Sequence, residues 1–223
     1  MTYLLRYFLF GTLLIQFGDS IAQGQTEATW FVYFGNQKIN KNWNVQSDMQ
    51  YRLNQVPDQK NQIIVRGGIG YNLTPGNHNL LLGVAYVQTN FLDELTNKPA
   101  INEKRIYQQY LYKRNYKNLF STHRFRLEER FLPQEFGCRT RYFLALQHPL
   151  NGKALNKNAV YGSFFNELFV DLKNAQFDRN RIYAGVGYSI NNEIRVETGY
   201  LIQSQKNNTR GQLQLVLYNN LSL

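Results

Sequence analysis

A chain of 223 residues is long enough for one domain, yet it carries 16 Tyr and 15 Phe at a mean hydropathy of −0.47. A wall with one apolar and one polar face accommodates that mixture more naturally than a compact core does. The formal charge of +10 is spread along the chain, with no Lys/Arg-rich tail, zinc-finger spacing or RNP-type motif, which argues against nucleic acid as a partner. The single Cys138 excludes an intramolecular disulfide and a paired-Cys metal site.

Residues 1–22 read as an address. A weak basic start at Arg6 precedes the apolar run 7–17, and Ser20-Ile21-Ala22 supplies small residues for cleavage before Gln23. This is the pattern of a Sec-type signal peptide, and the run is too short for a spanning helix of about 20 residues. No later stretch is long and apolar enough to span as a helix. An integral mature protein, residues 23–223, must therefore be a closed barrel, because only helices and closed barrels satisfy their backbone groups in lipid.

Beyond the leader the pattern has a period of two, in segments of roughly ten residues, the length of a tilted membrane-spanning strand. In 43–53, Trp43, Val45, Met49, Tyr51 and Leu53 share one face, while Asn44, Gln46, Asp48, Gln50 and Arg52 take the other. A strand separates these sets and a helix mixes them. Segment 63–73 repeats the alternation, with Ile63, Val65, Ile69 and Tyr71 opposite Arg66, Gly68 and Gly70. Thr74-Pro75-Gly76-Asn77 is a tight turn, and Leu80, Leu82, Val84 and Tyr86 mark the next strand. Further segments are 105–113, 122–131, 139–148, 160–171, 181–190, 194–205 and 212–223, with 29–35 at the start. Bacterial single-chain barrels have an even number of strands with both termini periplasmic. Ten or twelve strands are therefore expected, with 29–35 falling short of a crossing or one weak strand unrecognised. Asn191-Asn192-Glu193 and 74–77 read as periplasmic turns, and 90–102, 172–180 and 206–211 as extracellular loops.

The last segment alternates Leu213, Leu215, Leu217, Leu221 and Leu223, a pattern similar to the final-strand signal read by barrel-assembly machinery. The expectation is thus an all-β, antiparallel up-and-down transmembrane β-barrel in the bacterial outer membrane, with membrane lipid as its surroundings. A soluble secreted β-barrel or sandwich is the alternative.

The most unusual chemistry lies in 122–141. Phe125, Leu127 and Phe131 face one way, and Arg124, Arg126, Glu128 and Arg130 the other; on the next strand Arg139 and Arg141 oppose Tyr142, Leu144 and Leu146. Arg at mid-height on a lipid face costs about 2–4 kcal/mol, so these arginines should point inward and Glu129 outward, near an interface. Glu167, Arg181, Arg195 and Glu197 are further inward candidates. Two readings of this face stay open. In one, Arg and Glu interlock across a plugged lumen, giving a structural or assembly barrel. In the other, surplus Arg makes a narrow pore or binding barrel for small acidic solutes, since rings of Arg favour anions and guanidinium matches carboxylate and phosphate bidentately. A hydrolase is a third reading with little support. His123 and His148 fall on the apolar face, His78 borders a turn, and none sits beside an inward Ser with a carboxylate behind it. Gly67-Gly68 and Gly185/Gly187 read as barrel bends and not as a phosphate loop. No metal or cofactor is expected.

Several pieces together resemble a known family. They are Trp30 with Gly35, Lys41-Asn42-Trp43, Gln50-Tyr51-Arg52, Glu103-Lys104-Arg105-Ile106-Tyr107-Gln108-Gln109, His123 through Phe131, and Arg139-Thr140-Arg141-Tyr142. Asn166-Glu167-Leu168-Phe169, Phe177-Asp178-Arg179-Asn180-Arg181 and Glu197-Thr198-Gly199-Tyr200 complete the set. Their order and spacing resemble the uncharacterised family DUF2490, common in Bacteroidetes, across essentially the whole mature chain. The resemblance implies an outer-membrane barrel with no established activity.

Overall fold

The computed structural model describes residues 26–54, 60–74, 76–91 and 99–221. The expected signal peptide, Leu223 and much of the 90–102 loop lie outside them. Eleven strands follow one another: β1 (Thr26–Lys38), β2 (Trp43–Asn54), β3 (Lys60–Thr74), β4 (His78–Phe91), β5 (Ile101–Tyr116), β6 (Leu119–Phe131), β7 (Phe136–Pro149), β8 (Val160–Asp171), β9 (Gln176–Ser189), β10 (Ile194–Gln205) and β11 (Asn208–Asn219). Each pairs with its sequence neighbours, and β1 pairs with β11, so the sheet closes into a barrel.

The closing pair corrects the expected strand count of ten or twelve. Segment 29–35 does complete a crossing, as the middle of β1, and it pairs in parallel with β11 from Thr26↔Gly211 to Gly35↔Asn219. All other pairings are antiparallel. An even meander meets itself antiparallel, whereas an odd one has to close in parallel. The start of β1 and the finish of β11 therefore lie at opposite ends, not at one common end as expected. We call these the β1 end and the β11 end.

Turn chemistry is local. Asn77 N–H donates to Thr74 O at 3.1 Å, with Gly76 at φ 83°, a left-handed position that glycine occupies without a Cβ penalty. After β9, Asn191 Oδ1 accepts from the backbone N–H of Glu193 at 2.8 Å and of Ile194 at 2.6 Å, an Asx turn. Both turns sit at the β11 end. The expected loops at 172–180 and 206–211 lie together at the β1 end, but shrink to turns at 172–175 and 206–207. The longer connection 150–159 is at the β11 end.

Alternation sorts the wall into two faces. Outward lie Trp43, Tyr51, Phe125 and Leu127, along with Ile69, Leu82 and Val84, the last two 61% and 62% exposed. An aromatic ribbon runs over the outer face from β2 to β7. Trp43 meets Tyr71 edge-on at 5.0 Å, His78 stacks on Tyr112 at 4.7 Å, Tyr112 on His123 at 5.7 Å, and Phe125 lies 4.8 Å from Tyr142. Near the β1 end, Phe131 and Phe136 are 5.4 Å apart. Glu129 faces outward as expected, two residues from the finish of β6, and accepts from Gln108 Nε2 at 3.5 Å.

Of the glycines expected as bends, Gly68, Gly185 and Gly187 make room for neighbouring side chains, whereas Gly67 faces open space. No register shift occurs at Gly67-Gly68 or at Gly185/Gly187. Gly187 leaves the space that the Tyr161 ring on β8 fills, Gly83 does the same for Tyr107, and Gly68 makes room for Leu81. A Cβ at Gly187 or Gly83 would overlap the ring.

Candidate functional site

The lumen has an apolar half and a charged half. Ala28, Trp30, Val32, Tyr183, Leu201 and Val216 form a buried cluster beside the β1–β11 seam. Across from it, β2, β3 and β5 to β9 aim charged side chains inward because the same alternation that turns their aromatics outward leaves these groups no other side.

Glu128 is the hub. Its side chain is 1% exposed and accepts from Arg139 Nη2 at 2.6 Å and Arg141 Nη1 at 2.5 Å, with Arg105 and Arg126 each at 3.6 Å. Glu167 is the second hub, bonded by Arg141 at 2.5 Å and Arg124 at 2.7 Å, with Arg181 at 3.6 Å. Arg141 bridges the two. Glu103 holds Arg130 at 2.5 Å and Arg105 at 2.9 Å. Asp178 holds Arg139 at 2.9 Å and Arg179 at 3.1 Å, and Asp48 holds Arg66 at 2.7 Å. Eight arginines thus share four carboxylates in one connected lattice, with the Arg66–Asp48 pair beside it. Gln109 Oε1 supplements it, accepting from Arg126 Nη2 at 2.6 Å and Nε at 3.0 Å.

Arg52 stands outside these pairs. It donates to Gln50 Oε1 at 2.6 Å and Gln62 Oε1 at 3.2 Å and lies 3.8 Å over the Trp30 ring. No carboxylate among the described residues reaches it as an ion pair. Phe169, buried on β8, is faced by Arg141, Arg181, Arg139 and Arg179 at 4.5, 4.8, 5.0 and 5.7 Å from its centroid. Such contacts are favourable when desolvated and spread the positive charge over a neutral surface.

Of the residues singled out in the sequence, Arg124, Arg126, Glu128, Arg130, Arg139, Arg141, Glu167 and Arg181 come together in this lattice. Arg195 and Glu197 point inward but stand apart. Arg195 donates to Gln147 at 3.3 Å and lies 5.1 Å over Tyr218, and Gln147 reaches Glu197 at 3.4 Å. Sequence reasoning omitted Asp48, Arg52, Arg66, Glu103, Arg105, Asp178 and Arg179 from the site. Alternation alone would have found the first five. Asp178 and Arg179 needed a β-bulge. Phe169 pairs with Arg179 and Val170 with Phe177, so Asp178 is an extra residue on β9, and two adjacent side chains both reach the lumen, which strict alternation forbids.

Among the described residues, three spaces open along the lumen. A vestibule of about 210 Å³ at the β11 end includes Gln46, Lys113, Arg124, Arg126 and Arg195 in its lining. A waist of about 70 Å³ lies between Trp30, Phe143, Arg141 and Glu167. A polar pocket of about 90 Å³ sits toward the β1 end among Arg52, Arg66, Arg139 and Arg179. An apolar groove of about 910 Å³ crosses the β1–β11 seam between outward residues such as Phe31, Met49 and Leu215. The histidines are on the outer surface. His78 Nδ1 is 2.7 Å from the Tyr110 hydroxyl, His123 Nδ1 2.9 Å from that of Tyr142, and His148 Nδ1 3.2 Å from Asn118 O. No group of three or more His, Cys, Asp or Glu suited to a metal occurs among the described residues.

The family model of DUF2490, a protein of unknown function, matches residues 27–214. The chain belongs to the DUF2490 family. No curated protein and no solved structure matches it. The match runs from the start of β1 into β11, so both hubs of the charged lattice lie within this DUF2490 domain.

Proposed function

We propose that the chain is an integral outer-membrane β-barrel that takes small acidic solutes into an arginine-lined lumen through a narrow waist. The observation that carries this reading is the imbalance of buried charge: seven arginines but four glutamates are buried among the described residues. An uncompensated ion in a dry interior costs several kcal/mol, so the surplus guanidinium calls for water or anions. The outer wall supports the membrane setting. Its apolar side chains and aromatic ribbon form the band expected of a lipid-facing surface, whereas a soluble monomer seldom exposes apolar patches beyond a few hundred Å². The β11 end, with its Asx turn and the turn at Gly76, is assigned to the periplasm and the β1 end to the exterior.

The waist sets the scale of passage. Its volume of about 70 Å³ matches about two waters at ~30 Å³ each, as befits a barrel between the filled eight-stranded and open sixteen-stranded sizes. The tight lattice favours a second reading, a non-conducting barrel with an interlocked interior. Planar-bilayer reversal potentials in a salt gradient separate the two. Anion preference that falls in Arg126→Ser is the expected result. Absence of conductance from protein shown to be folded and inserted would leave the interlocked reading standing.

A further inference from the structure

The geometry points to a dedicated binding site for one tetrahedral dianionic oxyanion, of the phosphate or sulfate type, in the 90 Å³ pocket toward the β1 end. It rests on the reading of the lumen as anion-accepting and adds the ligand's shape, charge and place. Eight of the twelve residues lining this pocket are arginines, and Glu103 is the one acid among them. They converge from six strands, β2, β3, β5, β6, β7 and β9, so donors approach from around the wall rather than from one side. A tetrahedral oxyanion presents oxygens in every direction and can accept from several such donors at once; a monocarboxylate presents two oxygens on one side. The volume, about three waters' worth at ~30 Å³ each, admits a single such group and excludes an oligosaccharide.

Two features show unspent binding capacity. Arg66 and Arg139, both more than nine-tenths buried, leave their Nε atoms without a hydrogen-bond partner. Buried donors are normally satisfied, and a bound oxyanion would supply acceptors here. Arg52 is the other: its hydrogen-bond partners are neutral amides, and charge-assisted bonds to an oxyanion are about twice as strong as neutral ones. The pocket lies inside the wall, behind the strands, where a lipid headgroup of the bilayer does not reach, so the ligand is a soluble anion or the phosphate end of a small soluble phosphomonoester. The Phe169 face backs four of the guanidinium groups and holds them together.

Arg52 against Trp30 provides the readout. In the folded Trp43→Phe protein, Trp30 remains as the single tryptophan, and its emission is followed while inorganic phosphate, sulfate, glycerol 3-phosphate, acetate or chloride is added at constant ionic strength. Phosphate and sulfate should bind at least about tenfold more tightly than acetate and chloride, the scale of one charge-assisted hydrogen bond. Tighter binding of glycerol 3-phosphate than of phosphate identifies an esterified ligand, and the reverse a free one. Arg52→Gln should weaken phosphate binding about tenfold. Arg179→Gln, at the half-buried rim, should weaken it in the same direction and serves if Arg52→Gln fails to fold. Equal responses to all the anions, or unchanged affinity in Arg179→Gln, would overturn the site. Reversal potentials on the same preparations keep the two claims apart: anion preference without phosphate selectivity removes the site and leaves the lumen reading, while selective phosphate binding without anion preference does the opposite.

Discussion

Replacing Glu128 by Gln removes the hub charge with little change in shape. Four guanidinium groups lie within 3.6 Å of its carboxylate, and each loses a partner of opposite charge. Three keep another acid: Arg105 has Glu103, Arg139 has Asp178 and Arg141 has Glu167. Arg126 keeps the neutral Gln109. Removing one partner of a buried ion pair costs about 3–5 kcal/mol, and since three of the four retain a carboxylate, the low end, about 3 kcal/mol, is expected. The neighbouring Glu129 is the control. It faces outward and meets Gln108, so Glu129→Gln should change stability by less than about 1 kcal/mol. Urea unfolding in lipid vesicles, followed by tryptophan emission, compares the two. Equal stability of the two variants would refute the assignment of Glu128 to the interior and of Glu129 to the wall, since a register slip of one residue exchanges these faces.

Other outcomes follow from the same geometry. Gly187→Leu should destabilise the barrel by about 1–3 kcal/mol through overpacking against Tyr161, measured by the same unfolding assay, with partial recovery in the double variant with Tyr161→Ala. The protein should fractionate with the outer membrane and migrate differently in gels before and after boiling; recovery as a free periplasmic protein would contradict the membrane reading. Epitopes inserted at Gly152 and at Glu135 should label on opposite sides of the membrane, with Glu135 accessible on intact cells, because the β7–β8 and β6–β7 connections lie at opposite ends of the barrel.

The strand positions were legible because one physical rule governs the whole wall. Outward side chains are mostly apolar and inward ones need not be, so alternation alone delimits β8 and β10 at their observed ends. β9 begins five residues before the expected start because Gln176, Asp178, Arg179 and Asn180 are polar and look like a loop, whereas the bulge at Asp178 keeps the strand paired. Strand number was lost to the assumption of an even, antiparallel closure. Nothing in β1 itself states whether its partner will be parallel, since that is decided by a strand almost two hundred residues away. The inward arginines of 122–141 were visible from the cost of placing them in lipid. Glu128 and Glu167 were visible among the acids they share, but Glu103 and Asp178 were not, because these reach Arg130 and Arg139 from β5 and β9. The glycines were legible as unusual, but their reason, the rings of Tyr107 and Tyr161 on neighbouring strands, exists once register is set.

The central claim is that a bilayer surrounds this wall and that the charged lattice lies inside it. Two tryptophans stand on opposite faces: Trp43 is 44% exposed on the outer surface and Trp30 is 5% exposed in the lumen. Trp30→Phe and Trp43→Phe each leave one reporter in vesicles containing brominated lipid chains. Strong quenching of Trp43 with Trp30 shielded is the predicted result. Quenching of Trp30 as strong as that of Trp43, or no quenching of either, would contradict the account.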